Sequence, residues 1–288
     1  MLDPNGFNEL KACRIGPLVF NKNDWPIGTS LKIYGEFSWS EVEIFNQSIR
    51  PGQVVVDAGA NIGVHTVRMS QLVGPSGQVF AFEPQRIAFQ TLCANAALNN
   101  CTNVHAFQAA LGNRNGMITV PVLDQYKPGN FGGVPLAGIT EGEQVTLAPL
   151  DALELSACHF IKADLEGMEA EFLDGARGTI TKHRPILYIE GDGAEAKQSI
   201  EMLFEWGYKC FWHIAPLFNQ DNFAGQELHV FMQGKDCDIS SVNILCLPRE
   251  SKITTTGFLE IISPDEDGMR MYNELRIRRR KEKEAAVG

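Results

Sequence analysis

The chain has little of what marks a membrane protein, a disulfide-stapled protein or a zinc protein. No apolar run approaches the roughly 18 residues of a membrane span, and the opening MLDPNGFNELKACR lacks the apolar centre of a secretory signal. The seven cysteines (13, 93, 101, 158, 210, 237, 246) form an odd, scattered set with no C-x-x-C pair, so they read as buried reduced thiols. No histidine pair stands at metal-ligand spacing. Basic charge is scarce as well: a net charge of -10 over 288 residues argues against a broad nucleic-acid surface. The expectation is a soluble, cytoplasmic protein with one main domain, since 44% hydrophobic residues permit a substantial core.

One stretch departs from the acidic balance. RIRRRKEKEAAVG, after the acidic SPDEDG, crowds Arg276, Arg278, Arg279, Arg280, Lys281 and Lys283 together. It reads as the solvated face of a terminal helix or a frayed tail, with a phosphate or acidic-membrane contact as the alternative.

From about residue 52 the pattern alternates strand and helix. QVVVDAGA, QVFAFEP, NVHAFQAAL, HFIKADLE and RPILYIE are short apolar runs, as expected of strands covered on both faces. Between them QRIAFQTLCANAALN, the segment around Met168 to Ile180, and a run from about Glu195 to Trp206 ending at Gly207 have helical spacing. This alternation predicts a doubly wound α/β sheet. Ser38 and Glu41 in SWSEVEIFNQSI match a capping box at a helix start. Residues 1–37 read as an N-terminal extension with short strands such as GPLVF and SLKIYG, residues 38–250 as the main domain, and 251–288 as a C-terminal segment. Within the domain, 116–149 breaks the rhythm with ITVPVL, the glycine-rich KPGNFGGVPLAG and EQVTLAPL, and reads as a β-hairpin-like insertion.

The turn after the first strand, VVVDAGANIGVHT, carries the ligand signal. A strand-to-helix turn meets a helix N-terminus, where free N–H groups and the helix dipole favour an anion. A dinucleotide fingerprint needs G-x-G-x-x-G, whereas this turn reads D-x-G-x-N-x-G across Asp57, Gly59, Asn61 and Gly63. An acid leading the turn better suits a ligand with an amine as well as a carboxylate, as on the methionine tail of S-adenosylmethionine. Glu83, ending VFAFEP, stands where an acid accepts hydrogen bonds from both hydroxyls of a ribose. The bland readings are an ordinary tight turn and a strand-ending acid.

These stretches together, VVVDAGANIGVHTV, AFEP and IKADLEGMEAEFLDGA followed by RPILYIE, resemble the FkbM family of S-adenosylmethionine-dependent methyltransferases, over roughly residues 30 to 250. SLKIYGEFSWSEVEIF and NFGGVPL resemble parts of a subset of it. DAGAN and KADLEG stand where DVGAN and KIDVEG are usual, both conservative in size. The resemblance implies a class I methyltransferase (Rossmann-like) fold, a seven-stranded doubly wound sheet whose last strand is antiparallel, with YKCFWHI and SVNILCLP as the final hairpin. It implies S-adenosylmethionine as cofactor and S-adenosylhomocysteine as product. Asp57, Gly59, Asn61 and Gly63 would hold the methionine end, Glu83 the ribose, Gln108 and Ala109 the neighbourhood of adenine, and Asp164 would lie beside the sulfonium.

Methyl transfer to a hydroxyl needs alignment and a base. Asp164 and Glu166 are candidates, with His213 in FWHIAPLF as competitor. Each has a structural alternative: Asp164 orienting the cofactor, Glu166 capping a helix, His213 simply packed. Two nearby acids alone do not make a metal site, and no metal is expected. Asn130 and Phe131 in the glycine-rich loop, and Trp212, Asn219 and Asn222 in the polar-aromatic WHIAPLFNQDNFAG, are candidate contacts for a small-molecule or glycan acceptor. O-methylation is the expected reaction. The alternatives are a nicotinamide-linked oxidoreductase and a non-catalytic methyltransferase-like binding subunit. The N-terminal extension could serve as the arm of a homodimer or simply cover the sheet.

Overall fold

The computed structural model describes residues 3–136, 138–233 and 237–274. The basic run Arg276 to Lys283 lies outside the described residues.

An N-terminal hairpin, Asn8–Cys13 against Gly16–Asn21, leads into α1 (Ile27–Tyr34) and α2 (Trp39–Ser48). The stretch SLKIYG is therefore helical, against the strand expected from the sequence. Ile27, Leu31 and Tyr34 are buried at helical spacing, which outweighs the local alternation of Leu31 and Ile33. Gly35 ends the helix in the left-handed region at φ 68° and donates its N–H to Leu31 O. The Ser38 capping box is also absent. Ser38 has φ 42°, and its hydroxyl donates to Glu41 Oε1 at 2.7 Å instead of capping a backbone N–H.

The alternation then follows as β1 (Val54–Ala58), α3 (Val64–Val73), β2 (Gln78–Phe82), α4 (Arg86–Leu98), β3 (Val104–Phe107), β4 (Phe160–Ala163), α5 (Glu169–Gly175), α6 (Arg177–His183), β5 (Ile186–Glu190), α7 (Gly193–Glu205), β6 (Tyr208–Pro216), β7 (Ser240–Pro248) and β8 (Leu259–Glu260). The sheet runs β8-β6-β7-β5-β4-β1-β2-β3. Strands β3, β2, β1, β4 and β5 are parallel, and β7 inserts antiparallel between β5 and β6. Seven strands in this order make the class I methyltransferase sheet. The two-residue β8 extends it at the β6 edge.

Period-two alternation divides each strand between two layers. Val56, Ala58, Ile161, Ala163, Leu187 and Ile189 pack with Phe172, Leu173, Ile180, Ile200 and Leu203 of α5–α7. Val55, Val79, Phe160 and Tyr188 pack on the other face with Val42, Phe45, Met69 and Val73 of α2 and α3. The run NVHAFQAAL divides at Gln108. Its second part, Ala109–Leu111, leaves the main sheet and pairs with Glu143–Ala148, which pairs in turn with Gly116–Val120. The insertion is thus the antiparallel pair expected, extended by a third strand.

The chain reverses direction across the sheet between β1 and β4, so a cleft opens at their C-terminal ends. Gly59 occupies its narrowest point, at φ 75°, where an added Cβ would lie 1.7 Å from Asp164 O. Gly59→Ala is expected to lose about 1–3 kcal/mol from the backbone conformation alone, with the clash adding to it. Urea unfolding of the variant checks this, and unchanged stability would contradict it.

Candidate active site

The strand ends build one cavity of about 300 Å³. Its floor is the β1 turn (Gly59, Ala60, Asn61, Ile62), its sides are Glu83 after β2 and Lys162, Asp164, Glu166 and Glu190 around β4 and β5, and its roof includes Pro26, Ile27, Asn130, Gly132, Gly133, Val134 and Leu136.

Asp57 and Lys162 are register partners on β1 and β4, so their side chains share one face of the sheet. Both are buried. The Lys162 ammonium lies 3.7 Å from Asp57 Oδ1 and donates to Asp164 Oδ2 and to Gly59 O, each at 3.1 Å. Asp57 Oδ2 accepts from Thr66 Oγ1 at 2.6 Å. Burial alone would lower the Lys162 value, but Asp164, Asp57 and Glu41 raise it further than burial lowers it, so the lysine is charged. For Asp164 the balance has the opposite sign: burial pushes its carboxyl up, and Lys162 together with a hydrogen bond from Glu190 hold it below the ordinary carboxylate value.

The turn consumes its own donors. Asn61, at φ 50°, donates its N–H to Glu83 Oε2 at 2.8 Å, and its side-chain oxygen accepts the Ile62 N–H at 2.7 Å. Gly63 N–H goes to Ala60 O, while Gly59 and Ala60 N–H both go to Phe82 O. This leaves no ring of free amides for a pyrophosphate. Glu83 Oε1 accepts the Gln85 N–H at 2.8 Å. Each Glu83 oxygen thus holds one backbone donor and retains accepting capacity. Burial pushes the Glu83 carboxyl up to about 7 despite these two bonds. Beyond β4, Glu169 accepts from Leu165 N and Gly167 N and clamps the loop that carries Asp164 and Glu166.

The glycine-rich loop lies over the cavity and is strapped on two sides. Phe131 N donates to Asp24 Oδ1, and Gln85 Nε2 donates to Phe131 O, so the roof is tied both to the N-terminal segment and to the residues after Glu83.

The residues expected from sequence fall into two groups. Gly59, Asn61, Glu83, Asn130, Asp164 and Glu166 line the cavity, with Asp57 directly beneath and Gly63 opening α3 beside it. Gln108, Ala109, Phe131, Trp212, His213 and Asn222 do not line it; Ala110 and Leu111 do. Trp212 is a core residue covered by Gly268. His213 Nδ1 pairs with the Tyr188 hydroxyl at 2.7 Å, and burial lowers its value to about 4. Asn222 is spent on Asn219 O and Gln226 O, and Asn219 binds Glu36.

Lys162, Glu190, Glu41 and His65 were missed. Lys162 interrupts an otherwise apolar strand, and Glu190 ends RPILYIE as Glu83 ends VFAFE; both signals were available in the sequence. Glu41 is buried on α2 and pushed up to about 7 by burial, and burial pushes His65 down to about 3. Their roles depend on a helix docking against a sheet, which no local pattern announces.

Residues 57–210 match the family model described as the methyltransferase FkbM domain. The chain belongs to the FkbM methyltransferase family. Methyltransferase sdnD of Sordaria araneosa is 32% identical over 111 residues, covering 36% of this chain and 41% of that protein, so the match spans less than half of the relative's length. Among solved structures, methyltransferase FkbM from Methylobacillus flagellatus KT is 18% identical, with a TM-score of 0.42 over 72% of this chain and 50% of its own. Fibrillarin of Aeropyrum pernix, solved with natively bound S-adenosyl-L-methionine, is 11% identical, with a TM-score of 0.43 over 84% and 94%. Among the described residues no helix is long and apolar enough to cross a membrane.

Replacing Lys162 tests the electrostatic floor of this FkbM-family site. Lys162→Met strands the buried Asp57, and the half-buried Asp164 beside it, without a counter-charge and is expected to cost about 3–5 kcal/mol. In the native protein the depressed Asp164 value contributes stability present above the unfolded value and lost as pH falls through the folded one. In the variant the sign reverses, because buried unpaired carboxylates take up protons more readily than unfolded ones, so stability rises as pH falls. Urea melts at pH 5 and pH 8 check both claims; equal loss at both pH values would contradict the second.

Proposed function

We propose that the chain transfers a methyl group from S-adenosylmethionine to a hydroxyl oxygen of a small-molecule or glycan acceptor, leaving S-adenosylhomocysteine. The observation that carries the reading is Glu83: a buried carboxylate on the wall shared with the Gly59–Ile62 turn and Asp164, each oxygen already oriented by one backbone N–H. A ribose supplies two hydroxyl donors for such an acceptor pair. The donor set fits the rest of the cofactor as well. Carboxylates and carbonyls predominate and the turn amides are spent, which favours a ligand bearing ammonium and sulfonium charge over a pyrophosphate.

In this reading Gly59, Ala60 and Asn61 hold the methionine end, with Asp57 fixing the turn from below through Thr66 and Lys162. Ala110 and Leu111 offer an apolar wall for adenine. S-adenosylmethionine, when bound, supplies a methyl carbon activated by positively charged sulfur, so positioning the acceptor in line provides much of the acceleration. The roof loop with Asn130 excludes water and offers an acceptor contact. A carboxylate of the β4–β5 end takes the hydroxyl proton, in a position His213 does not reach.

Calorimetric titration with S-adenosylhomocysteine tests the cofactor reading. Saturable binding is expected, weakened about tenfold or more by Glu83→Gln, because charge-assisted hydrogen bonds are worth about 1.5–3 kcal/mol each. Affinity is expected to be full above about pH 7, where the free carboxyl is ionised, and to fall below it as protonation competes with the ribose donors. Failure of the folded protein to bind S-adenosylhomocysteine, with protection by NAD instead, would replace this reading with a nicotinamide one.

A further inference from the structure

Glu190 is one of five carboxylates that line the cavity and, with Asp164 and Glu166, one of the three at its β4–β5 end. Ile189 of β5 is the register partner of Ala163 on β4, so Glu190 and Asp164 leave adjacent strand ends side by side. Carboxylate oxygens of Asp164, Glu166 and Glu190 lie within 4.8 Å of one another, and all three residues line the cavity. Carboxyl groups set this close at adjacent strand ends favour holding one proton between them over carrying two full charges.

We propose that Glu190 accepts the proton of the methyl acceptor's hydroxyl, and that the positive charge of bound S-adenosylmethionine is what ionises it for that task. The inference rests on the cofactor reading above. Three carboxylates this close do not all ionise together, and the charges around them decide where the proton sits. From β4, Lys162 contacts Asp164 at 3.1 Å and fixes the negative charge there. Glu166 and Glu169, on the loop and first turn of α5, add negative charge around Glu190; Asn243 of β7 stands across from it. From the helix layer, Glu41 of α2 and the neutral His65 of α3 also line the cavity, and neither brings a positive charge. Burial, then the charge of Asp164, accordingly raises the Glu190 carboxyl well above its ordinary value. Asp164, held by an ammonium, is a weak base; Glu190 has the greater appetite for a proton.

The step balances. The acceptor oxygen forms a bond to the methyl carbon, the carbon–sulfur bond breaks with its electron pair passing to sulfur, and the hydroxyl proton passes to the Glu190 carboxylate. The cavity loses the sulfonium charge as it gains the proton, so its net charge is unchanged. Before reaction, the sulfonium favours ionised Glu190; afterwards the neutral thioether lets it keep the proton until solvent removes it.

The test needs no acceptor. Calorimetry at pH 7.5 in buffers of different ionisation enthalpy counts protons released on binding S-adenosylmethionine and S-adenosylhomocysteine. Glu83 contributes equally with both ligands, since they share the ribose. The sulfonium ligand is expected to release up to about one proton more than the thioether. Glu190→Gln, whose amide can donate to Asp164 as the protonated acid does, should bind both ligands and abolish the difference, whereas Glu166→Gln should retain it. Equal release in the native protein, or a difference that survives in Glu190→Gln, overturns the proposal while leaving the cofactor reading intact. Binding of neither ligand overturns the cofactor reading and the proposal with it.

Discussion

The site depends on one buried ammonium. Lys162 reaches across from β4 to the turn after β1, contacts Asp57 and Asp164, and takes the carbonyl of Gly59 as a third partner. A buried charge is tolerable only when paired and hydrogen-bonded, so each of these groups is held in place by the need of the others. The cleft between β1 and β4 is thereby kept at a fixed width, at the point where Gly59 has no room for a side chain. The β1–β2 side and the β4–β5 side of the cavity share one electrostatic anchor.

That anchor also sorts the acids. Asp57 is beneath the floor, Glu83 faces a neighbour of β1 with two backbone donors, and Asp164 is pinned as an anion, leaving Glu190 with the weakest claim on positive charge. Four carboxyl groups of the same chemistry therefore acquire different proton affinities from position alone.

The architecture was readable because near-continuous apolar strands alternate with helical segments and each strand divides its residues between two covering layers. The place of the turn and of Glu83 on the cavity was readable because the cleft of such a sheet opens at its strand ends. Other features were not. SLKIYG has both alternation and helical spacing, and only the docking of Leu31 and Tyr34 decides between them. The Ser38–Glu41 spacing fits a capping box, yet the left-handed Ser38 turns its hydroxyl to the Glu41 carboxylate. Trp212 and Asn222 look like acceptor contacts by composition, but one is spent on core packing and the other on its own loop. Lys162 and Glu190 were visible as charges in apolar runs, and their meaning needed the register between strands.

The departure of the chain from the central sheet at Gln108 has a consequence for how such a protein diversifies. The roof over the cavity grows from the small sheet of Ala109–Leu111, Gly116–Val120 and Glu143–Ala148, whereas the floor belongs to the large one. Lengthening or exchanging the segment between the two hairpin strands leaves every register of the central sheet intact. Selection can therefore redraw what the enclosure admits without disturbing the machinery beneath it, much as a cover can be refitted to an unchanged vessel.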